Sequence, residues 1–501
     1  MRTLEEILAI PEIERKIYYL KKGRKTEHPN AHALYNDWNP NRHEIVIDEE
    51  KYPKIKITTK PEERITDPTT GKEYIEPAVK KEVEPNRIAL PIEQDIVNIQ
   101  TAFTVGTEPT LDCQPDQLEE SLLSALKQVF KKNKLKYQNK KVVRAWLSEQ
   151  EVAEYWYVVK DDGFWAKLKR KVAGIFGKSK PEYRLKSTIW SPFRGDKLYP
   201  FFNDNGDLVA LSREYKKKDL DDVEITCFMT ITKDMVYQWE LTSNWTDKGS
   251  FAHGFKKLPV IYMYRPEAYC EKIKSLRVRL EKLLSNYADC IDYHFFPILM
   301  LFGDVQNFSG EFKNRVVELT GQGANAQYLT WSQVPDTVKF EVETLLSQIY
   351  GLTYTPRISF DALKGTGNAV SGVTFDYVFM STHLNVENLN ETVGEFMQRR
   401  VNFLTSALGS VNTTLEAASE TIDIDVQMQP YKLEDIKDKI DTAIKAKDGE
   451  IWSQQRAITF VGNVDSVLDE IEAIKEEQEE KQKNDIEKQK KINEINGKNR
   501  L

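Results

Sequence analysis

Cysteine is scarce. The 501 residues hold only Cys113, Cys227, Cys270 and Cys290, far apart and without a CxxC pair. Neither a disulfide framework nor a cysteine zinc site is expected, and the four read as reduced thiols in a core. Six scattered histidines add no ligand doublet. Long apolar runs are also missing. The longest, residues 295–303, is under half of the ~20 residues that a spanning helix needs, so no membrane segment is expected. The opening Met1-Arg2-Thr3-Leu4-Glu5-Glu6 has acids where an export signal carries base and then an apolar run, so no targeting segment is expected there. Finally, a basic excess is lacking. With 71 basic and 78 acidic side chains the net charge is −7, which excludes the broad basic face of a tight DNA binder and leaves only loose or local nucleic-acid contact.

The familiar catalytic patterns fail one by one. Gly177-Lys178-Ser179 ends like a phosphate loop, but Val172 stands where the first glycine is needed. Trp165 to Lys180 reads instead as a basic amphipathic surface insert. Gly365-Thr366-Gly367 begins like a dinucleotide fingerprint, yet Val370 replaces its last glycine and no strand precedes it. The turn at Gly206 has Ser212 where a calcium loop needs glutamate. Ser371-Gly372 lacks the second glycine of a nucleophile elbow, because Ala369 occupies it. His294 reads as a helix-end packing group, and Asp423 and Asp425 as a solvated strand face. No catalytic residue, metal ligand or cofactor is therefore expected, and the chain reads as a non-enzyme.

What is present is a folded chain of the α+β class: 40% of residues are apolar and 11% aromatic, and the length suggests about three domains. Helices are expected near the N-terminus (Leu4, Leu8, Ile13, Ile17), from Ile92 to Gly106 and from Pro115 to Lys134. Strands are expected at 153–159, 187–200, 208–215, 223–232 and 235–241, with Asn203-Asp204-Asn205-Gly206 as a hairpin turn, while 44–47 and 55–58 read as weak strands or an arm. From Pro266 onward Ile273, Leu276, Leu280, Leu283, Leu284, Tyr287 and Ile291 keep helical spacing over about 28 residues, roughly 40 Å. A small β-rich insert with glycine turns follows at 297–333, then a helix to Tyr350. A glycine-rich break runs from 351 to 372, and a long helix from 371 to 408 is expected to kink at Asn385, Asn388 and Asn390. Residues 421–429 alternate like a strand, two short helices come next, and the tail from Asp469 is a solvated helix or disordered.

This order of elements resembles the portal proteins of tailed double-stranded-DNA bacteriophages, of the siphophage type. The resemblance rests on Asn86-Arg87-Ile88 through Gly106, on Ile189 to Pro200 with the turn Asp204-Asn205-Gly206, and on Leu258-Pro259-Val260-Ile261 with Tyr264-Arg265-Pro266 leading into Leu280-Glu281-Lys282-Leu283-Leu284. It also rests on Gly365 to Gly372 and on Ser453 to Glu476. It implies a portal-like fold: an α/β wing (1–265), a first stem helix (266–296), a clip (297–333), a second stem helix (334–351) and a tunnel loop (352–370). A long kinked helix and wing strand (371–430) and a helical crown with charged tail (431–501) complete it.

The function so implied is a homo-oligomeric ring, usually of twelve copies, set at one capsid vertex of the virion and assembled in the host cytoplasm. Double-stranded DNA would pass through it non-specifically during packaging and ejection. The implied partners are the terminase large subunit, the head-to-tail connector, and the major capsid and scaffold proteins. Arg357, Lys364, Thr366 and Asn368 would touch DNA from the tunnel loop. Phe302, Phe308, Phe312 and Trp331 would form the clip's partner or subunit surface, and Leu276, Leu280 and Leu283 the subunit interface of the stem. The competing class is a cytosolic coiled-coil scaffold, suggested by the charged tail. Against it, Ile471, Ile474, Ile486 and Ile492 do not keep a heptad.

Overall fold

A computed structural model describes residues 2–60, 62–66, 73–160, 183–218, 220–294, 298–308, 317–329, 335–357, 372–431, 436–462 and 467–498. The chain forms two compact units, one of residues 1–357 with 381–431, the other of 358–380 with 432–501.

The larger unit is built in four layers, and strand alternation explains each boundary. Five antiparallel strands stand in the spatial order Trp245–Ala252, Met235–Leu241, Glu224–Thr232, Leu208–Lys218, Lys197–Phe202. On one face, Phe228, Trp239, Tyr199 and Phe201 meet Ile7, Ile17 and Leu20 of two N-terminal helices, Leu4–Leu8 and Ile13–Lys22. On the other, Leu211, Met229, Ile231 and Val236 meet Ala153, Trp190, Val260 and Tyr262 of a second, three-stranded sheet. That sheet runs Val260–Tyr264, Glu151–Lys160, Tyr183–Trp190. Its far face, with Val152, Trp156, Ile261 and Met263, closes over the main helical core. The helices Ile92–Val105, Leu135–Glu149, Lys274–His294 and Pro335–Leu352, with residues 381–411 of the helix Gly372–Val411, supply that core. In the smaller unit the helices are Ile436–Asp448, Gln454–Val461 and Val467–Lys498, the second capped by Ser453.

Several sequence expectations need correction. Residues 44–47 form a helical turn, Glu44–Ile47, and not a strand: Ile45 is buried while Ile47 is exposed, a period that a strand would not give. The helix Leu135–Glu149 escapes the sequence reading because neither proline nor glycine parts it from the preceding helix Gln117–Asn133. Lys134 makes the break itself in the left-handed conformation, φ 53°. The helix expected from Pro266 starts only at Lys274, since residues before it are tied down by the amide of Tyr269 donating to the Leu147 carbonyl at 2.8 Å and by a short 3-10 turn. The insert is one hairpin, Ile298–Phe308 with Val317–Leu329, and Gly303, Gly321 and Gly323 lie within its strands, not in turns. Residues 422–428 alternate as expected, with Ile422, Ile424, Val426 and Met428 against the core, but only Asp425–Gln427 pairs, because its partner Thr110–Asp112 is three residues long. The helix Gly372–Val411 is continuous through all three asparagines. Cys227 and Cys270 are buried, Cys113 is half-buried and Cys290 is exposed, so Cys290 is not a core thiol.

Candidate functional site: a laced helix and the roots of a loop

The helix Lys274–His294 carries a polar ridge at four-residue steps: Arg277, Glu281, Ser285 and Asp289. Residues i and i+4 share a helix face, and here Glu281, Ser285 and Asp289 are taken up by one extended segment of the same chain. The amides of Asn86, Ile88 and Leu90 donate to Asp289 Oδ1 (2.7 Å), Ser285 Oγ (2.9 Å) and Glu281 Oε1 (2.8 Å) in turn. The Asn86 side chain adds a bond to Asp292 Oδ2 at 2.6 Å. Arg87, between them, donates to the carbonyls of Val46 and Tyr52 and so draws the N-terminal segment onto the same seam.

At the top of the ridge Arg277, 2% exposed, sits among three carboxylates: Glu93 at 2.7 Å, Asp37 at 2.9 Å and Glu281 at 3.8 Å. His43 Nδ1 lies 2.6 Å from Glu281 Oε1. Burial is the leading influence on Glu93 and outweighs an arginine shared with two other acids, so its carboxyl is pushed up to about 7.

The helix Pro335–Leu352 packs on this one, and Arg279 pairs with Glu341 at 2.7 Å. Its C-terminal end is held by a buried polar knot. Gln100 donates to the Thr353 and Tyr354 carbonyls and to Thr355 Oγ1 at 3.0–3.1 Å, and Tyr269 Oη donates to the Thr353 carbonyl at 2.6 Å. Asn385 Nδ2 donates to Gln100 Oε1 and Tyr269 Oη, both at 2.9 Å, while Thr382 Oγ1 donates to the Tyr354 carbonyl at 2.8 Å. Residues before and after segment 358–380 are thereby fastened to the same point. Tyr354 holds φ 50° there, strain that such a knot can impose on a non-glycine residue.

Of the residues singled out from sequence, Arg357 lies just beyond the knot and pairs with Glu343 at 2.7 Å, both exposed. Lys364, Thr366, Asn368, Phe312, Trp331 and the basic insert 163–181 lie outside the described residues. Phe302 stands half-exposed on the hairpin, opposite Asn325, and Phe308 is in the same strand, opposite Val317. Leu280 is wholly covered by its own chain, and Leu276 and Leu283 are packed on the same core. Leu280 therefore moves from the expected subunit contact to the core. Its helix turns the face that carries it into the core of its own chain.

A family model described as phage portal protein, SPP1 Gp6-like, matches residues 56–484. The chain belongs to this phage portal protein family. No curated protein matches. Among solved structures, a chain from the virion of a native gene transfer agent particle aligns with 9% identity and a TM-score of 0.36, over 74% of this chain and 88% of that one.

The family match begins at residue 56, so Asp37 and His43 reach the laced helix from outside the matched span. Sequence reasoning missed this network and the knot alike. Asn86-Arg87-Ile88 stood out without a reason, and Asn385 read as a helix breaker. The usable signal was the four-residue recurrence of polar residues beside the apolar stripe of an amphipathic helix.

Glu149, at the end of helix Leu135–Glu149, is a second buried acid, accepting from the Phe193 amide at 2.7 Å. Burial above all raises it from 4.5 to about 7. A carboxyl raised on folding gives stability that is complete below its unfolded value and is lost as pH climbs through the folded one. Glu149→Gln keeps the acceptor and removes the charge. It should raise the melting temperature at pH 8, by the equivalent of about 3 kcal/mol at most, with the gain vanishing as pH falls to 4.5. Melting curves across that range check it, and a gain independent of pH would contradict the assignment.

Proposed function

We propose that this chain assembles into a ring at one capsid vertex and forms the channel through which double-stranded DNA enters and leaves. The observation that carries the proposal is the helix–hairpin–helix order 274–352 inside the family-matched span. In this reading the two helices are the stem, the hairpin is the clip and segment 352–370 is the tunnel loop. Residues 372–430 run beneath the wing and the helices beyond Ile436 form the crown. The clip, with Phe302 exposed, would meet the terminase large subunit during packaging and the head-to-tail connector afterwards. Capsid and scaffold proteins would surround the wing.

Electrostatics fits passage better than grip. Twelve copies at −7 each would carry −84, so phosphate is repelled except where bases are placed locally. Arg357 is such a base: its pair with Glu343 is exposed to water, hence weak and easily exchanged for a phosphate. Lys364, Thr366 and Asn368 would add contacts to the backbone alone, hence independent of sequence.

Light scattering on the purified chain, with negative-stain images, tests the ring. The expected result is a mass of about twelve times 58.1 kDa and a central hole. A stable dimer or an extended rod would instead support a coiled-coil scaffold. Lys364→Ala should leave rings intact while lowering packaged DNA, and undiminished packaging would remove the loop from the path.

A further inference from the structure

A cavity of about 620 Å³ opens between the helices Gln117–Asn133 and Leu135–Glu149 and the short sheet Thr110–Asp112/Asp425–Gln427. Four exposed lysines line it: Lys127 and Lys131, one helical turn apart, then Lys134 and Lys136 around the left-handed break. None of the four enters a salt bridge among the described residues. Glu108 is the one acid lining the cavity.

Arg400 also lines the cavity and is 2% exposed. Its Nε donates to Glu154 Oε2 at 2.6 Å and its Nη1 to Asn139 Oδ1. Its Nη2 is buried with no hydrogen-bond partner. A guanidinium is charged at any physiological pH, and a buried N–H left without an acceptor is costly. The site thus holds an unanswered donor beneath a ring of unanswered cations.

Most of the remaining lining is apolar, with Leu111, Phe130, Leu135, Met397 and Val401 beside the polar Thr110, Tyr137 and Asn139. This lining decides between kinds of anion. A nucleic-acid backbone would reach the lysines and leave the apolar walls wet. A peptide that sets a branched aliphatic side chain between carboxylates satisfies both. An extended one also has an edge to lie along, since among the described residues strand Thr110–Asp112 pairs with Asp425–Gln427 on one side only.

We infer that this cavity is a docking site for an acidic peptide segment of a partner protein, anchored by one aliphatic side chain flanked by carboxylates. The inference does not depend on ring formation, because every residue involved comes from one chain.

Fluorescence anisotropy of the full chain with a fluorescein-labelled Glu-Glu-Leu-Glu-Glu peptide tests it. Saturable binding is expected. The Lys131→Glu, Lys134→Glu double variant should weaken it by roughly tenfold or more. Both side chains are exposed, and an unchanged melting curve verifies the fold. Replacing the peptide's leucine by serine should weaken binding comparably. The proposal is overturned if the peptide does not bind, if the double variant binds like the parent, or if the serine peptide binds equally well. It is likewise overturned if a single-stranded thymidine decamer binds more tightly through the same lysines, which would make the site one for nucleic acid.

Discussion

Arg277→Met should lower the melting temperature of the purified chain by roughly 3–6 °C, the range expected for a loss of about 3–5 kcal/mol in a unit of this size. The size of the effect comes from what stays behind. Glu93, Asp37 and Glu281 converge on the guanidinium from three parts of the chain, and all but Asp37 are nearly inaccessible to water. Without the arginine, the buried Glu93 and Glu281 face one another with His43 beside Glu281, while Lys274 answers Asp37 alone. The loss should deepen above pH 7, where Glu93 would otherwise ionise, and shrink in acid, where it takes up a proton. Calorimetry at pH 5 and pH 8 reads both quantities. A variant melting within about 2 °C of the parent at pH 8 would mean that the network contributes little net stability, as some buried ion pairs do.

The second large effect separates a covered apolar side chain on one of the two packed helices from an exposed one on the other. Leu280→Asp puts a charge where the side chain has no exposure, and the chain should fail to fold. Phe340→Asp changes an aromatic ring that is 74% exposed on the helix Pro335–Leu352. It should leave the subunit folded and, if this helix meets a neighbouring copy, prevent the ring from closing. Circular dichroism and light scattering on both variants decide the matter. A folded, soluble Leu280→Asp chain would restore Leu280 to an interface, and normal rings from Phe340→Asp would place the contact between copies elsewhere.

The sequence disclosed those features whose signal is periodic and local. The strand at Met235–Leu241 and the helix Ile92–Val105 were legible because each turns an apolar face to a core at the proper spacing. So was the apolar face of the helix that begins at Lys274, although its first turns were overrun: Pro266 marks a start only when nothing else claims the residues after it, and the Leu147 carbonyl claims the amide of Tyr269. What stayed hidden depends on residues far apart in the chain. The knot joins Gln100, Tyr269, Thr353 and Asn385, and no window of sequence spans it. The same holds for Arg400, whose partners Glu154 and Asn139 lie some 250 positions earlier. The family resemblance supplied the order of elements. It did not say which leucine faces inward, because that depends on how the helix is turned about its own axis.

That orientation is set by the segment 86–90, which engages positions 281, 285 and 289 in succession along a single flank. A shaft keyed along its length can neither spin nor creep within its housing. Torque or thrust applied at the far end of this helix would pass through the key into the helix Ile92–Val105, which follows the segment directly. Such a shaft would yield first outside its keyed stretch.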